Sequence, residues 1–130
     1  MPKSLPGIAA AAALIALPFA ACGGGSSTAN GCGASTTTSP NVVVHAESSL
    51  TFDQKEYTAK AGDISLQYVD DDSQTHSLIV KDHGCKMQVA SHGDTKTGTV
   101  HLDAGTYTLF CDIPGHESAG MKATLTVTAG

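Results

Sequence analysis

Short segments of alternating apolar and polar residues fill the chain after residue 40. Near the C-terminus, every second residue from Met121 to Val127 is apolar, with Lys and Thr between. Every second residue from Tyr107 to Cys111 is likewise apolar. Because successive side chains of a strand point to opposite faces, each run predicts a strand with one buried face. A short loop should join these two strands.

Similar runs recur earlier in the domain, separated by turn signals such as Ala61-Gly62-Asp63 and Asp103-Ala104-Gly105. No window of eleven or more residues after residue 40 has the apolar period of a helix. The runs that predict further strands are Val42 to His45, Ile64 to Tyr68, His76 to Val80 and Thr97 to Leu102. The pattern predicts an all-β domain of about seven short strands, a sandwich or a barrel.

The first 21 residues have the features of an export signal. Lys3 supplies a positive charge, and the apolar run from Ile8 to Phe19 is too short to span a bilayer, which takes about 20 residues. The small residues before Cys22 suit a signal peptidase. Residues 19 to 22, Phe-Ala-Ala-Cys, resemble a bacterial lipobox, in which Cys22 would carry the lipid. The alternative is an ordinary secretory signal, with Cys22 incidental.

Residues 22–40 are rich in Gly, Ser and Thr and have no hydrophobic period, which predicts a flexible linker. One domain remains, residues 41–130, long enough for a single two-layer core. Without Lys3, six lysines face twelve acidic residues, a net charge of −6. This balance argues against binding nucleic acid through its phosphates.

Cysteine, histidine and methionine recur at equal spacing where the last two predicted strands meet. Four residues separate Cys111 from His116, and four more separate His116 from Met121. His76 begins an earlier predicted strand and shares the parity of its apolar residues, so its ring should point inward. Thiolate, imidazole and thioether ligands together favour copper. We therefore expect His76, Cys111, His116 and Met121 to bind one copper ion.

This ligand pattern resembles that of the cupredoxins, the type 1 blue copper family that includes plastocyanin, azurin and halocyanin. The likeness covers most of residues 42 to 128, and its densest part is the segment from Tyr107 to Leu125. Family members commonly have Asn after the first histidine, where it braces the ligand loop; here the residue is Ser77. A shorter brace predicts a changed reduction potential.

The resemblance implies a Greek-key β-sandwich of seven or eight strands with copper near one end. It also implies a monomeric electron carrier, not an enzyme, that passes single electrons between redox proteins. The edge of His116 would then lie near the surface among small or apolar residues, as the route for electrons. With the leader, this function would be exerted at the outer face of a bacterial membrane, through the lipid anchor or in the periplasm.

Two questions stay open at this level. A copper chaperone or buffer is the alternative to a carrier, although no exposed tail rich in Met and His favours it. Cys32 and Cys85 form an even pair that could be a disulfide in an oxidising compartment, but Cys32 lies in the predicted linker.

Overall fold

The computed structural model describes residues 32–35 and 38–130. The predicted signal peptide, the lipidation site Cys22 and most of the predicted linker lie outside these residues. Among the residues that are described, no helix is long and apolar enough to cross a membrane.

The described part of the chain forms nine strands and one short helix. In chain order these are β1 (Val42–Glu47), β2 (Thr51–Phe52), β3 (Glu56–Lys60), β4 (Gly62–Asp70), β5 (His76–Val80), β6 (Cys85–Val89), β7 (Thr95–Leu102), β8 (Gly105–Phe110), α1 (His116–Ala119) and β9 (Lys122–Thr128).

The strands form two sheets, with strand orders β2-β1-β4-β7 and β3-β9-β8-β5-β6. The chain leaves the second sheet after β6, adds β7 to the first sheet and returns to place β8 beside β5. Strand β7 thus lies in a different layer from both β6 and β8, its neighbours along the chain, as in a Greek key. The predicted all-β Greek-key sandwich is confirmed, with nine strands, one of them only two residues long.

Alternating residues of both sheets meet in one core, as the sequence pattern predicted. On β9 the apolar residues Ala123, Leu125 and Val127 are buried, while the threonines between them are exposed or half-buried. On β5 even the first residue, His76, has no exposed surface. The core therefore continues to the end of the sandwich, where its last layer is polar.

A disulfide joins Cys32 to Cys85 at the first residue of β6. Cys32 is buried, and its neighbour Gly33 pairs through two backbone hydrogen bonds with Thr99 on β7. A Cβ added at Gly98 would lie 2.7 Å from the Cβ of Cys32, so the disulfide needs a glycine beneath it. Residues 32–35 therefore pack against the domain, although they belong to the segment that the sequence predicted to be a linker.

Besides the two-residue β2, two strands were not predicted, for different reasons. In strand β6, Cys85, Met87 and Val89 are buried and alternate with one half-buried and one exposed polar residue. The alternation was not recognised in the sequence, because cysteine, methionine and lysine are weak signals of a strand. In β3 only Tyr57 is fully buried, so almost no apolar alternation marks the strand. Both lie at the outer edges of the second sheet, where one side lacks a neighbouring strand.

Candidate metal centre

The four predicted ligands lie where β5, β8, α1 and β9 meet at one end of the sandwich. His76 is the first residue of β5, and Cys111 directly follows β8. His116 begins α1, and Met121 directly precedes β9. Three of these side chains have no exposed surface, and His116 is half-buried.

Three donor atoms converge on one point. Nδ1 of His76 lies 3.2 Å from Nδ1 of His116, and Sγ of Cys111 lies 3.6 Å from the same nitrogen. All three atoms lie within 4.8 Å of one another. Around a first-row metal ion bound at roughly 2.0 to 2.3 Å, such donors are roughly 3.3 to 3.7 Å apart, so the spacing fits one ion.

Met121 is held beside this cluster by the backbone. Its N–H donates to the carbonyl of His116 at 3.0 Å, and its carbonyl accepts the N–H of Cys111 at 3.1 Å. These two bonds close the segment from Cys111 to Met121 into a compact loop. The loop brings Met121 to the same end of the core as the three clustered donors, and its side chain is fully buried there.

Two glycines shape this ligand loop. Gly115 and Gly120 flank α1 with φ of 87° and 119°, a left-handed conformation that side chains with a Cβ adopt at a cost. The N–H of Gly120 donates to the carbonyl of Glu117 and closes the helix after a single turn. A turn this short has no apolar period, which is why sequence reasoning predicted only a loop.

His76 is anchored by a buried carboxylate. Oδ2 of Asp72 lies 2.9 Å from Nε2 of His76, and Asp72 is only 7% exposed. The hydrogen bond from His76, and next that from the Ser73 backbone, lower the pKa of Asp72 below its usual value. The sequence suggested only a polar loop here, and Asp72 was missed as part of the site.

Cys111 is tied to β5 through Ser77. The backbone N–H of Ser77 points to Sγ of Cys111 at 3.3 Å. The Ser77 hydroxyl donates to Oδ1 of Asp112 at 2.6 Å and accepts the Asp112 N–H at 2.9 Å. A chain of polar contacts thus links the residue after the first histidine to the residue after the cysteine.

Lys86 extends this network with an ion pair to Asp112 at 2.6 Å. Burial alone would raise the pKa of Asp112, but the bonds from Lys86 and Ser77 outweigh it and hold that pKa below its usual value. Asp112, although exposed, is therefore a charged connection between β6 and the ligand loop.

His116 lies at the surface side of the cluster. Among the described residues, its side-chain hydrogen-bond contacts all run through Nδ1, to His76 and Cys111. Its neighbours Pro114, Gly115 and Ala119 are exposed. Two imidazoles and a thiolate form a soft to borderline donor set, which suits copper.

The arrangement defines a copper-binding β-sandwich, and comparison with known proteins gives its family. Residues 39–128 match the model of the copper-binding proteins of the plastocyanin/azurin family. The chain therefore belongs to this family, and its cofactor is copper, as predicted. Among curated protein sequences, none matches the chain significantly.

Solved structures with the same fold include three auracyanins. Dithionite-reduced auracyanin from the photosynthetic bacterium Roseiflexus castenholzii has 20% identity and a TM-score of 0.59, with 71% of this chain and 99% of that chain covered. Auracyanin B has 23% identity and a TM-score of 0.58, with 78% and 99% covered. Auracyanin A, a "blue" copper protein from Chloroflexus aurantiacus, has 21% identity and a TM-score of 0.58, with 69% and 100% covered. At these identities the likeness shows a common fold.

Proposed function

We propose that this protein is a type 1 copper electron carrier whose ligands are His76, Cys111, His116 and Met121. The observation that carries the proposal is the convergence of two imidazole nitrogens and one thiol sulfur within 4.8 Å at one end of a cupredoxin sandwich. Met121 would supply a fourth donor, a thioether sulfur, from the same closed loop. The proposed activity is transfer of single electrons between redox proteins, not catalysis on a substrate.

Copper in such a site supplies one-electron chemistry by alternating between Cu(I) and Cu(II). The chain's part is to hold the donors in one arrangement for both states. His76 begins a strand, and Cys111 is bonded to Ser77 on that strand. Burial of His76, Cys111 and Met121 keeps water from the donors. If the donor side chains keep their positions in both oxidation states, electron transfer requires little movement of the protein.

Electrons should enter and leave through the edge of His116. It is the one member of the ligand set that is not fully buried, and small or apolar residues surround it at the surface. A partner that packs against Pro114, Gly115 and Ala119 would come close to this ring without having to open the core.

The proposal includes a place of action outside the cytoplasm. The leader favours export, and lipidation of Cys22 would anchor the protein to the outer face of a bacterial membrane. The disulfide between Cys32 and Cys85 is in keeping with an oxidising compartment. We expect a monomer that serves redox proteins and does not bind nucleic acid, because acidic residues outnumber basic ones twelve to seven.

The test is the visible absorption spectrum of the copper-loaded, oxidised domain, recorded again after reduction. An intense blue thiolate-to-copper band that bleaches reversibly is expected. Cys111→Ser should abolish the band, and Met121→Leu should keep it while shifting the reduction potential.

A control for the methionine change is Met87→Leu, which alters a buried methionine on β6 beside the disulfide. It should leave both the band and the potential unchanged. A colourless or irreversibly reduced adduct of the wild type would contradict the carrier and favour copper storage or delivery.

A further inference from the structure

Three successive aspartates, which run from the last residue of β4 into the loop before β5, have different surroundings. Asp71 is exposed, and its carboxylate contacts the exposed side chain of His45 at 2.6 Å. Asp70 and Asp72 are buried, at 0% and 7% exposure. Burying a carboxylate is costly unless it is bonded. Both oxygens of Asp72 have partners, whereas Oδ2 of Asp70 has none among the described residues.

Asp72 is held in place from several sides. Its Oδ1 accepts the N–H of Ser73 at 2.7 Å, and its Oδ2 accepts from the side-chain amide of Gln74 at 3.2 Å. Its own N–H donates to Oδ1 of Asp70 at 2.9 Å. The backbone of Asp70 is in turn bonded to Gly93 and Asp94 in the loop before β7. Asp72 is therefore fixed from both sheets of the sandwich, through its backbone to Asp70 of β4 and through its carboxylate to His76 of β5.

This carboxylate determines the proton position on His76. An ionised carboxylate can only accept, so Nε2 of His76 must donate the hydrogen bond to Asp72. In the neutral ring the proton is then on Nε2, and Nδ1 keeps its lone pair. Nδ1 is the atom that faces His116 in the donor cluster. The bond thus presents the ring to a metal in the correct tautomer.

We infer that Asp72 is a positioning residue of the copper centre that orients His76 and lowers the reduction potential. The inference rests on the proposed function for its copper readout. A hydrogen bond to a carboxylate makes an imidazole a stronger donor, and a stronger donor beside a negative charge favours Cu(II) over Cu(I). Among the described residues, Nε2 of His116 has no such partner, so the two histidines are tuned differently.

The experiment compares three variants of the full domain. Asp72→Asn keeps a side-chain oxygen that can accept from Nε2 but removes the charge. Asp72→Ala removes both. Asp71→Asn makes the same charge change at the exposed neighbour and is the matched control. Each is loaded with copper, and its reduction potential and Cu(II) affinity are measured.

The reduction potential should rise in Asp72→Asn and in Asp72→Ala and stay unchanged in Asp71→Asn. Asp72→Ala should also lose about 10- to 100-fold in Cu(II) affinity, the usual effect of removing a residue that supports a metal ligand. Equal potentials in wild type and Asp72→Asn, or an equal shift in Asp71→Asn, would overturn the role of Asp72.

A measurement without copper separates this inference from the proposed function. Long-range ¹H–¹⁵N correlations in the metal-free wild type should find the proton of His76 on Nε2, slow to exchange with water. A proton on Nδ1, or a freely exchanging one, would refute the inference. Absence of the blue band in the wild type would instead refute the proposed function as an electron carrier. The metal-free spectrum would still show whether Asp72 and His76 are hydrogen-bonded.

Discussion

The two histidines of the donor cluster are held in opposite ways. His76 has no exposed surface, and its far nitrogen is bonded to the buried carboxylate of Asp72. His116 is half-buried in a one-turn helix between two left-handed glycines. Its N–H donates to the Ile113 carbonyl and its carbonyl accepts the Met121 N–H, which holds its position. Of two residues of the same type, one is thus held rigidly in the core and the other lies near the surface. Positioning a metal and exchanging electrons with a partner make different demands; under the proposed function, the first would fall to His76 and the second to His116.

The largest difference between the two histidines should appear when each ring is removed in turn. In His116→Gly, the blue band of the oxidised copper protein should be lost and should return when free imidazole is added, because the vacated space opens to solvent. In His76→Gly the band should be lost without recovery, because the space is closed and contains the Asp72 carboxylate. Absorption spectra with increasing imidazole measure both results.

Circular dichroism of both variants is the control, since each must keep its β-sheet spectrum. Equal recovery in the two variants would contradict the difference in access that the burial of the two rings indicates.

A pair of serine substitutions should have the next largest effect. Ser77 lies on the buried side and makes two hydrogen bonds with Asp112. Ser118 lies on the exposed side and donates to the Gly115 carbonyl at 3.0 Å. Ser77→Ala leaves partners of a buried hydroxyl unsatisfied and should cost about 1–3 kcal/mol of unfolding free energy. Ser118→Ala should change it by less than about 0.5 kcal/mol, as is usual at exposed positions.

Urea unfolding of the metal-free proteins measures both changes, so that copper affinity does not enter the comparison. A cost for Ser118→Ala as large as that for Ser77→Ala would mean that the ligand loop, not β5, carries the stability of this end.

The ligand loop from Cys111 to Met121 was easier to predict from the sequence than the residues that support His76. Cys111, His116 and Met121 lie in one continuous segment, where spacing and strand parity bring them close together without knowledge of the rest of the fold. His76 could be added because its parity with its strand points it inward. Local pattern was therefore enough to predict which side chains cluster.

The support of His76 could not be predicted in the same way. Whether Asp72 turns inward depends on the path of a loop between two sheets, and its bonds reach Asp70 and, through it, residues near Asp94. The disulfide is a similar case, since Cys32 and Cys85 are 53 residues apart and their pairing is set by the packing of β6 against β7. Contacts of this kind follow from tertiary structure, and nothing in the local sequence encodes them.

Acid should lower the stability of the loop around Asp94, which is linked through Asp70 and Asp72 to His76. Of the predicted effects, this one should be the smallest. Asp94 accepts the Ala90 N–H at 2.9 Å and contacts Lys96 at 3.3 Å, and first the bond from Ala90, then that from Lys96, lower its pKa below the ordinary 3.8. A carboxylate with a lowered pKa in the folded state contributes stability that is fully present above pH 3.8 and is lost as the pH falls through the folded value.

The unfolding free energy of the metal-free protein should therefore fall below pH 3.8 less steeply in Asp94→Asn than in wild type. Asp103→Asn, at an exposed carboxylate whose side chain has no hydrogen bond among the described residues, is the control for the loss of one negative charge. Identical slopes for wild type and Asp94→Asn would show that this loop does not add to the acid sensitivity of the buried side.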